Sequence, residues 1–311
     1  MTEIFTLTLK NVVQILFFIA LGYALRHSKS FPKESGKTLS VLAAWIFSPA
    51  YTVRSLAKDF TVPNISENLL ILGAGVIFLA VTLVIGFLLS RLLTKDATTR
   101  RIFMYAMTFP NYGYFGYPLV ESVFGQEILA DYIVFCQPFN FACAILGYWL
   151  LTQGKNFTWK SFFLSPVVWS PFLGAALGLS GWKLPALAEN TLAALGSCMS
   201  PTVMILMGFV LGTVSLKKLF TYVKGYGLSL VRLLLIPILG GGLYYLCGTR
   251  GIWLLMPVAT MAMPIGANVI VFPESCGIDT GEHAKMVFLS YILAVAVLPP
   301  AFGIIARLAG I

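Results

Sequence analysis

The sequence predicts an all-α integral membrane protein with ten transmembrane helices in two inverted five-helix repeats, the fourth and ninth helices broken and crossing. Three observations carry this prediction. The 311 residues are 58% hydrophobic and only 11% charged, with a mean hydropathy of +0.87, whereas about a quarter of the residues in soluble domains are charged. The apolar runs are continuous and of membrane-spanning length, not alternating every second residue as in a transmembrane β-barrel. Short motifs of the first half also return in order in the second half. At about 20 residues per span the chain holds roughly ten to twelve spans and no soluble domain, which excludes soluble enzymes and receptors with large ectodomains.

Apolar runs between charged or turn-rich breaks place the first five spans near 9–25, 38–56, 69–93, 102–124 and 128–151. The second five fall near 163–179, 187–213, 226–247, 252–276 and 284–308. The first run follows Glu3 and no basic cluster, and it leads into Arg26, His27 and Lys29 without an Ala-x-Ala site. It therefore reads as a retained span rather than a signal peptide. The five cysteines, Cys136, Cys143, Cys198, Cys247 and Cys276, are odd in number and widely spaced, a pattern that gives neither a disulfide framework nor a metal site.

The net charge of +9 would point to nucleic acid in a soluble protein, but in a membrane protein the position of the charges matters more than their sum. Of the 21 Lys and Arg, 14 fall in the loops after spans 1, 3, 5, 7 and 9, including Arg26, Lys29, Arg91, Arg101, Lys155 and Lys217. Six fall on the other side, among them Lys58, Lys183 and Arg250. The positive-inside rule then puts both termini outside the cytoplasmic membrane. Arg232, inside span 8, lies eight residues past Lys224; at 1.5 Å per residue that is about 12 Å, a distance from which its side chain is expected to snorkel to the cytoplasmic headgroups, the alternative being an arginine that binds substrate.

Leu21-Gly22-Tyr23-Ala24-Leu25 in span 1 matches Leu173-Gly174-Ala175-Ala176-Leu177 in span 6 at an offset of 152. Ser48-Pro49 matches Ser200-Pro201, and Gly73-x-Gly75 matches Gly225-x-Gly227, at the same offset. Pro110 and Pro264 are 154 apart, and Glu121-Ser122 and Glu274-Ser275 are 153 apart. The implied division is a first repeat at 1–152, a short cytoplasmic loop at 153–162 and a second repeat at 163–311. Because five is odd, consecutive repeats enter the membrane from opposite sides.

Span 4 contains Phe109-Pro110-Asn111-Tyr112-Gly113-Tyr114-Phe115-Gly116-Tyr117-Pro118, and span 9 contains Met263-Pro264-Ile265-Gly266-Ala267-Asn268. Proline removes a backbone donor and clashes with the preceding turn, while glycine permits unwound dihedrals, so both helices should break here. Unwound backbone at bilayer depth is tolerated only where protein buries it or a cavity lies beside it. Half-helix N-termini facing that cavity hold a carboxylate without a buried Arg or Lys, and the amides of Asn111 and Asn268 both donate and accept. The candidate substrate-binding residues are Pro110, Asn111, Tyr112, Gly113, Pro264, Ile265, Gly266 and Asn268. Gln137 and Asn140 in span 5 either line the same cavity or join helices by hydrogen bonds. Glu121 and Glu274, ten or eleven residues past the prolines, lie about 15 Å from the breaks and are the candidates for proton coupling. Gly174-x-x-x-Gly178 and Gly208-x-x-x-Gly212 suggest close helix packing.

Asn111-x-Gly113-x-x-Gly116-x-Pro118 with Phe124-Gly125, and Pro264-x-Gly266-x-Asn268 followed by Gly277-Ile278-Asp279, resemble the span-4 and span-9 patterns of the auxin efflux carrier family. The resemblance covers essentially the whole chain. It implies a secondary transporter with the fold of the bile-acid sodium symporters, spans 1, 2, 6 and 7 forming a scaffold and elevator-like movement giving alternating access. It also implies Asn111 and Asn268 as substrate contacts. Prokaryotic-type members carry organic anions such as malate or malonate, and plant members export the auxin indole-3-acetate. The short loop at 153–161 departs from the long regulatory loop of the plant pattern, which favours a dicarboxylate over auxin.

Other classes fit less well. Gly178-Leu179-Ser180-Gly181 has the form of an intramembrane serine protease motif, but His27 and His283 fall in loops on the side opposite Ser180, out of reach of a general base. No metalloprotease or diphosphate motif is present, so no enzyme is expected. An anion channel on the same fold stays open as an alternative to a carrier. No cofactor is expected, and the coupling ion, sodium or proton, is open. The expected partners are a small organic anion and the lipid bilayer, with a homodimer left open and no nucleic acid.

Overall fold

The computed structural model describes residues 2–28, 31–155 and 158–311. Lys29, one of the predicted inner-loop cations, and Asn156 and Phe157 of the 153–162 loop lie outside the described residues. Among the described residues the chain is all-helical, with no strand beyond a single isolated bridge. Six helices are long and apolar enough to cross a membrane, at Thr2–His27, Val62–Leu93, Tyr112–Thr152, Ala186–Leu211, Gly225–Leu246 and His283–Ala309. The chain is a multi-pass membrane protein.

Helix α1 (Thr2–His27) carries Glu3 in its first turn and Arg26 and His27 in its last, each sign opposite to the helix dipole at that end. Its buried face is Thr8, Val12, Ile15, Ile19 and Gly22, one stripe at the helical period. Helix α2 runs over 35–59, through one π turn at Ala43–Phe47. Helix α3 (Ile65–Leu93) buries only Asn68, Ile71, Gly75, Phe78, Thr82, Gly86 and Ser90. The rest of its surface, including Leu70 and Ile77 at 66% and 67% exposure, faces outward as large apolar side chains, the pattern of a helix bathed in lipid.

Helix α4 (Ala97–Thr108) is capped by the Asp96 carboxylate, which accepts from the Thr99 N–H at 2.7 Å. Helices α5 (112–124) and α6 (126–152) follow almost without a loop. Gly125, at φ 86° and ψ 176°, makes the turn between them, in a region open only to glycine. Next come α7 (Trp159–Leu164), α8 (Pro166–Ser180), α9 (Ala186–Ser197) and α10 (Met199–Leu211). Cys198, between α9 and α10, keeps helical dihedrals at φ −74° and ψ −14°, and the two helices together form one apolar stretch of membrane-crossing length at Ala186–Leu211. Finally α11 (Leu216–Phe220), α12 (223–246), α13 (Gly251–Ala262), α14 (Asn268–Ser275) and α15 (Gly281–Ala309) complete the chain.

The most extensive packing is α1 along α10, and the second half of α2 along α8. A Cβ on Gly22 would stand 1.9 Å from the Ile205 carbonyl oxygen, so only glycine lets α1 and α10 approach this closely. Gly174 does the same for α8, with the Val53 carbonyl oxygen of α2 3.0 Å from where its Cβ would be. Helix α3 packs on α4 and α6, and α12 packs on α13 and α15. Ser180 closes α8 by donating to the Leu177 carbonyl at 2.7 Å and accepting from the Trp182 N–H at 3.1 Å.

Candidate functional site

Both breaks begin at a residue forced out of the helical region by the proline that follows it. Phe109, before Pro110, is extended at φ −108° and ψ 95°, and Met263, before Pro264, is extended at φ −66° and ψ 147°; the proline ring clashes with a helical predecessor. The two extended pieces lie antiparallel, with Pro110 opposite Ile265. The Asn111 N–H donates to the Pro264 carbonyl at 2.8 Å, and the Gly266 N–H donates to the Phe109 carbonyl at 3.2 Å. The Ile265 N–H donates to Ser290 Oγ of α15 at 3.3 Å. Each break therefore supplies backbone partners to the other, which helps two unwound segments sit in the protein interior.

Beyond this crossing the chain resumes as α5 at Tyr112 and as α14 at Asn268, and both helix starts face one cavity of about 70 Å³. At about 30 Å³ per water, that is room for about two waters. Pro110, Asn111, Tyr112, Gly113, Tyr114, Gly266, Ala267 and Asn268 line it from the breaks; Ser48, Tyr51 and Thr52 from α2; Tyr105 from α4; Asn140 and Cys143 from α6. Among the described residues none of the lining side chains is charged. Asn111 is buried, and its amide donates to the Tyr291 hydroxyl. Asn268 is half-buried; its amide donates to Cys143 Sγ at 3.4 Å, and its carbonyl oxygen accepts from the Tyr114 hydroxyl at 3.3 Å. The Tyr112 hydroxyl donates to Asn140 Oδ1 at 2.9 Å, and the Asn140 amide donates to Gln137 Oε1 at 3.2 Å.

Of the sequence-predicted residues, Pro110, Asn111, Tyr112, Gly113, Asn140, Gly266 and Asn268 meet at the cavity. Pro264 and Ile265 lie behind it, in the backbone pairing. Gln137 stands one step back and holds Asn140. Glu121 lines a separate cavity of about 320 Å³ with Asn11, Gln14 and Arg54, which meets the crossover cavity at Tyr51 and Met199. Glu274 accepts from the Thr280 hydroxyl at 3.0 Å and does not line the crossover cavity. A further cavity of about 290 Å³, with Trp45, Tyr148 and Cys276, shares Ala44, Ala144, Val167 and Phe272 with the central one.

Arg232 does not snorkel as its distance from Lys224 suggested. It is 1% exposed, and its guanidinium donates to three backbone carbonyls beside the crossing, those of Met107, Thr260 and Met263. Counting residues along a helix gives depth but not direction, and this side chain points into the protein. Sequence reading also passed over Ser48, Tyr51, Tyr105 and Cys143 as cavity-lining groups, because a hydroxyl or thiol on an apolar span carries no signal of which way it faces. The one available hint was Ser48-Pro49, already marked by its repeat.

A profile of the family described as membrane transport protein matches residues 7–300. An uncharacterised transporter of Methanothermobacter thermautotrophicus is 26% identical over 304 residues, 95% of this chain and 98% of that relative. An uncharacterised transporter of Methanocaldococcus jannaschii is 24% identical over 299 residues, covering 92% and 95% respectively.

Proposed function

This chain belongs to the auxin efflux carrier-like family of membrane transport proteins, and on that premise we propose that it is a secondary carrier of a small organic carboxylate, malate or malonate in kind, across the cytoplasmic membrane. The observation that carries this reading is the convergence of two helix starts, Tyr112 of α5 and Asn268 of α14, on one small uncharged cavity. Each helix start carries about half a positive charge, so two of them balance about one carboxylate, although at α14 the Val269 and Ile270 N–H groups already donate to the Gly266 and Ala267 carbonyls. Asn111, Asn140 and Asn268 with the tyrosine hydroxyls add adjustable donors and acceptors.

The reading takes the chain as ten spans in two inverted five-span repeats, with elevator-like movement of the crossing spans against a scaffold of spans 1, 2, 6 and 7. Packing supports it. Gly22 meets Ile205, and Gly174 meets Val53; both glycines and both partners differ by 152, so the two contacts exchange under the repeat. The cavities on either side of the crossover, one at Arg54 and Glu121 and one at Tyr148 and Cys276, support access from alternate faces. The termini are assigned to the outer face by the positive-inside rule.

Counterflow tests this function. Proteoliposomes preloaded with unlabelled malate should accumulate labelled malate saturably, malonate should compete, and indole-3-acetate should compete weakly. Absence of counterflow with all three, from protein shown to be folded, would refute the carboxylate reading, and non-saturating flux would indicate a channel.

A further inference from the structure

Arg232 is the one fully buried cation beside the crossing among the described residues, and nothing in the cavity's lining uses it. Its side chain leaves α12 from a π turn at Val231–Leu235 and is 1% exposed. All three guanidinium nitrogens donate to backbone carbonyls: Nη1 to Met107 at 2.8 Å, Nη2 to Thr260 at 3.3 Å and Nε to Met263 at 3.3 Å. Burying a guanidinium without a carboxylate is costly, so the carbonyls must supply compensating negative charge. They are well placed to do so. Met107 lies in the last turn of α4, Thr260 lies in the last turn of α13, and Met263 follows α13 directly. Each helix C-terminus carries about half a negative charge, and the two together match the single positive charge of Arg232. Across the crossing, the two helix starts at Tyr112 and Asn268 keep their positive ends for the cavity.

We infer that Arg232 is a positioning residue, a tethered cation that binds the two half-helix C-termini together at the crossing and makes exchange independent of any mobile monovalent cation there. The inference rests on the carrier reading for its transport consequence alone. The carbonyl oxygens that a sodium ion would take as ligands at this place already accept from the guanidinium. The crossover charge is therefore fixed on one side and completed by the substrate carboxylate on the other.

The test uses the full-length protein in proteoliposomes with labelled malate. Exchange by the wild-type protein should change less than about twofold when sodium is replaced by potassium or choline at constant ionic strength; a saturable sodium requirement would overturn the inference. Arg232→Met should lose at least about tenfold in exchange rate, because two C-terminal half-charges lose their partner. Arg232→Lys should keep part of the activity, its single ammonium reaching fewer of the three carbonyls. Wild-type rates in Arg232→Met would overturn it. A second measurement needs no substrate: guanidinium at low millimolar concentration should raise the melting temperature of detergent-purified Arg232→Ala saturably and leave the wild-type protein unchanged. No rise, or an equal rise in both, would count against a guanidinium site. If the wild-type protein exchanges no carboxylate, the carrier reading fails while the melting comparison still decides the role of Arg232.

Discussion

Asn268 offers the sharpest test of what the cavity binds, because its carboxylate counterpart has nearly the same shape and the opposite preference for an anion. Asn268→Asp removes the amide donor to Cys143 and leaves an oxygen to accept from the Tyr114 hydroxyl, so the local fold has little reason to change. It also places a negative charge in a cavity without charged lining groups. Two unit charges 4 Å apart at an effective dielectric constant of 20 repel by about 4 kcal/mol, or about three powers of ten in affinity. Asn268→Ala removes only a hydrogen-bonding partner, about 1–3 kcal/mol, or roughly 5- to 150-fold. The assay is the concentration dependence of malate counterflow, run at about pH 8 to keep the new carboxyl ionised, with melting temperature as the control for folding. The expected order of half-saturation is wild type, then Ala, then Asp. Equal half-saturation in wild type and Asp would remove Asn268 from the binding site, and tighter binding in Asp would refute an anionic substrate.

The same assay on Asn111→Ala should show weaker malate exchange together with a lower melting temperature, because this buried amide also holds the Tyr291 hydroxyl. Orientation is open to cysteine labelling: a cysteine at Lys155 should react only from the cytoplasmic side and one at Lys183 only from outside, and the reverse pattern would overturn the charge-based topology. Asp59, past the end of the predicted second span, is held above the usual carboxyl range by burial, with Lys58 and Arg54 pulling partly the other way. A raised folded-state pKa means the folded form keeps its proton more readily than the unfolded one, so this group's contribution to stability is fully present at low pH and is lost as pH rises through the folded value. Asp59→Asn should therefore raise the melting temperature at neutral pH, with the difference closing below about pH 4, where both states hold the proton; a difference independent of pH would contradict it.

What could be read from the sequence follows from which signals are local. Proline and glycine act on their own backbone, so Pro110, Gly113, Pro264 and Gly266 announced two helix breaks without any knowledge of the fold. The mutual pairing of those breaks, Asn111 to Pro264 and Gly266 to Phe109, depends on segments more than 150 residues apart in sequence. Only a repeated motif made that meeting inferable. Direction was not legible: Arg232 points inward to the Met107, Thr260 and Met263 carbonyls instead of out to the headgroups, whereas Glu121 sits away from the crossover cavity as its spacing implied. Tyr51 and Tyr105 read as ordinary aromatic residues of apolar spans, and their place beside the cavity comes from packing between helices that composition does not encode.

The central claim is that a carboxylate is held in the cavity between the two helix starts. Protection of a single cysteine tests it most directly. Ser48 lines that cavity from α2, and Ser48→Cys in a chain freed of its five native cysteines gives a reporter whose side chain is close in size to the original. In membranes that carry out malate counterflow, saturating malate should slow modification of this cysteine by a small thiol reagent several-fold, with half-protection at the concentration that half-saturates exchange. Labelling at an unchanged rate while counterflow proceeds would place the substrate elsewhere and contradict the account.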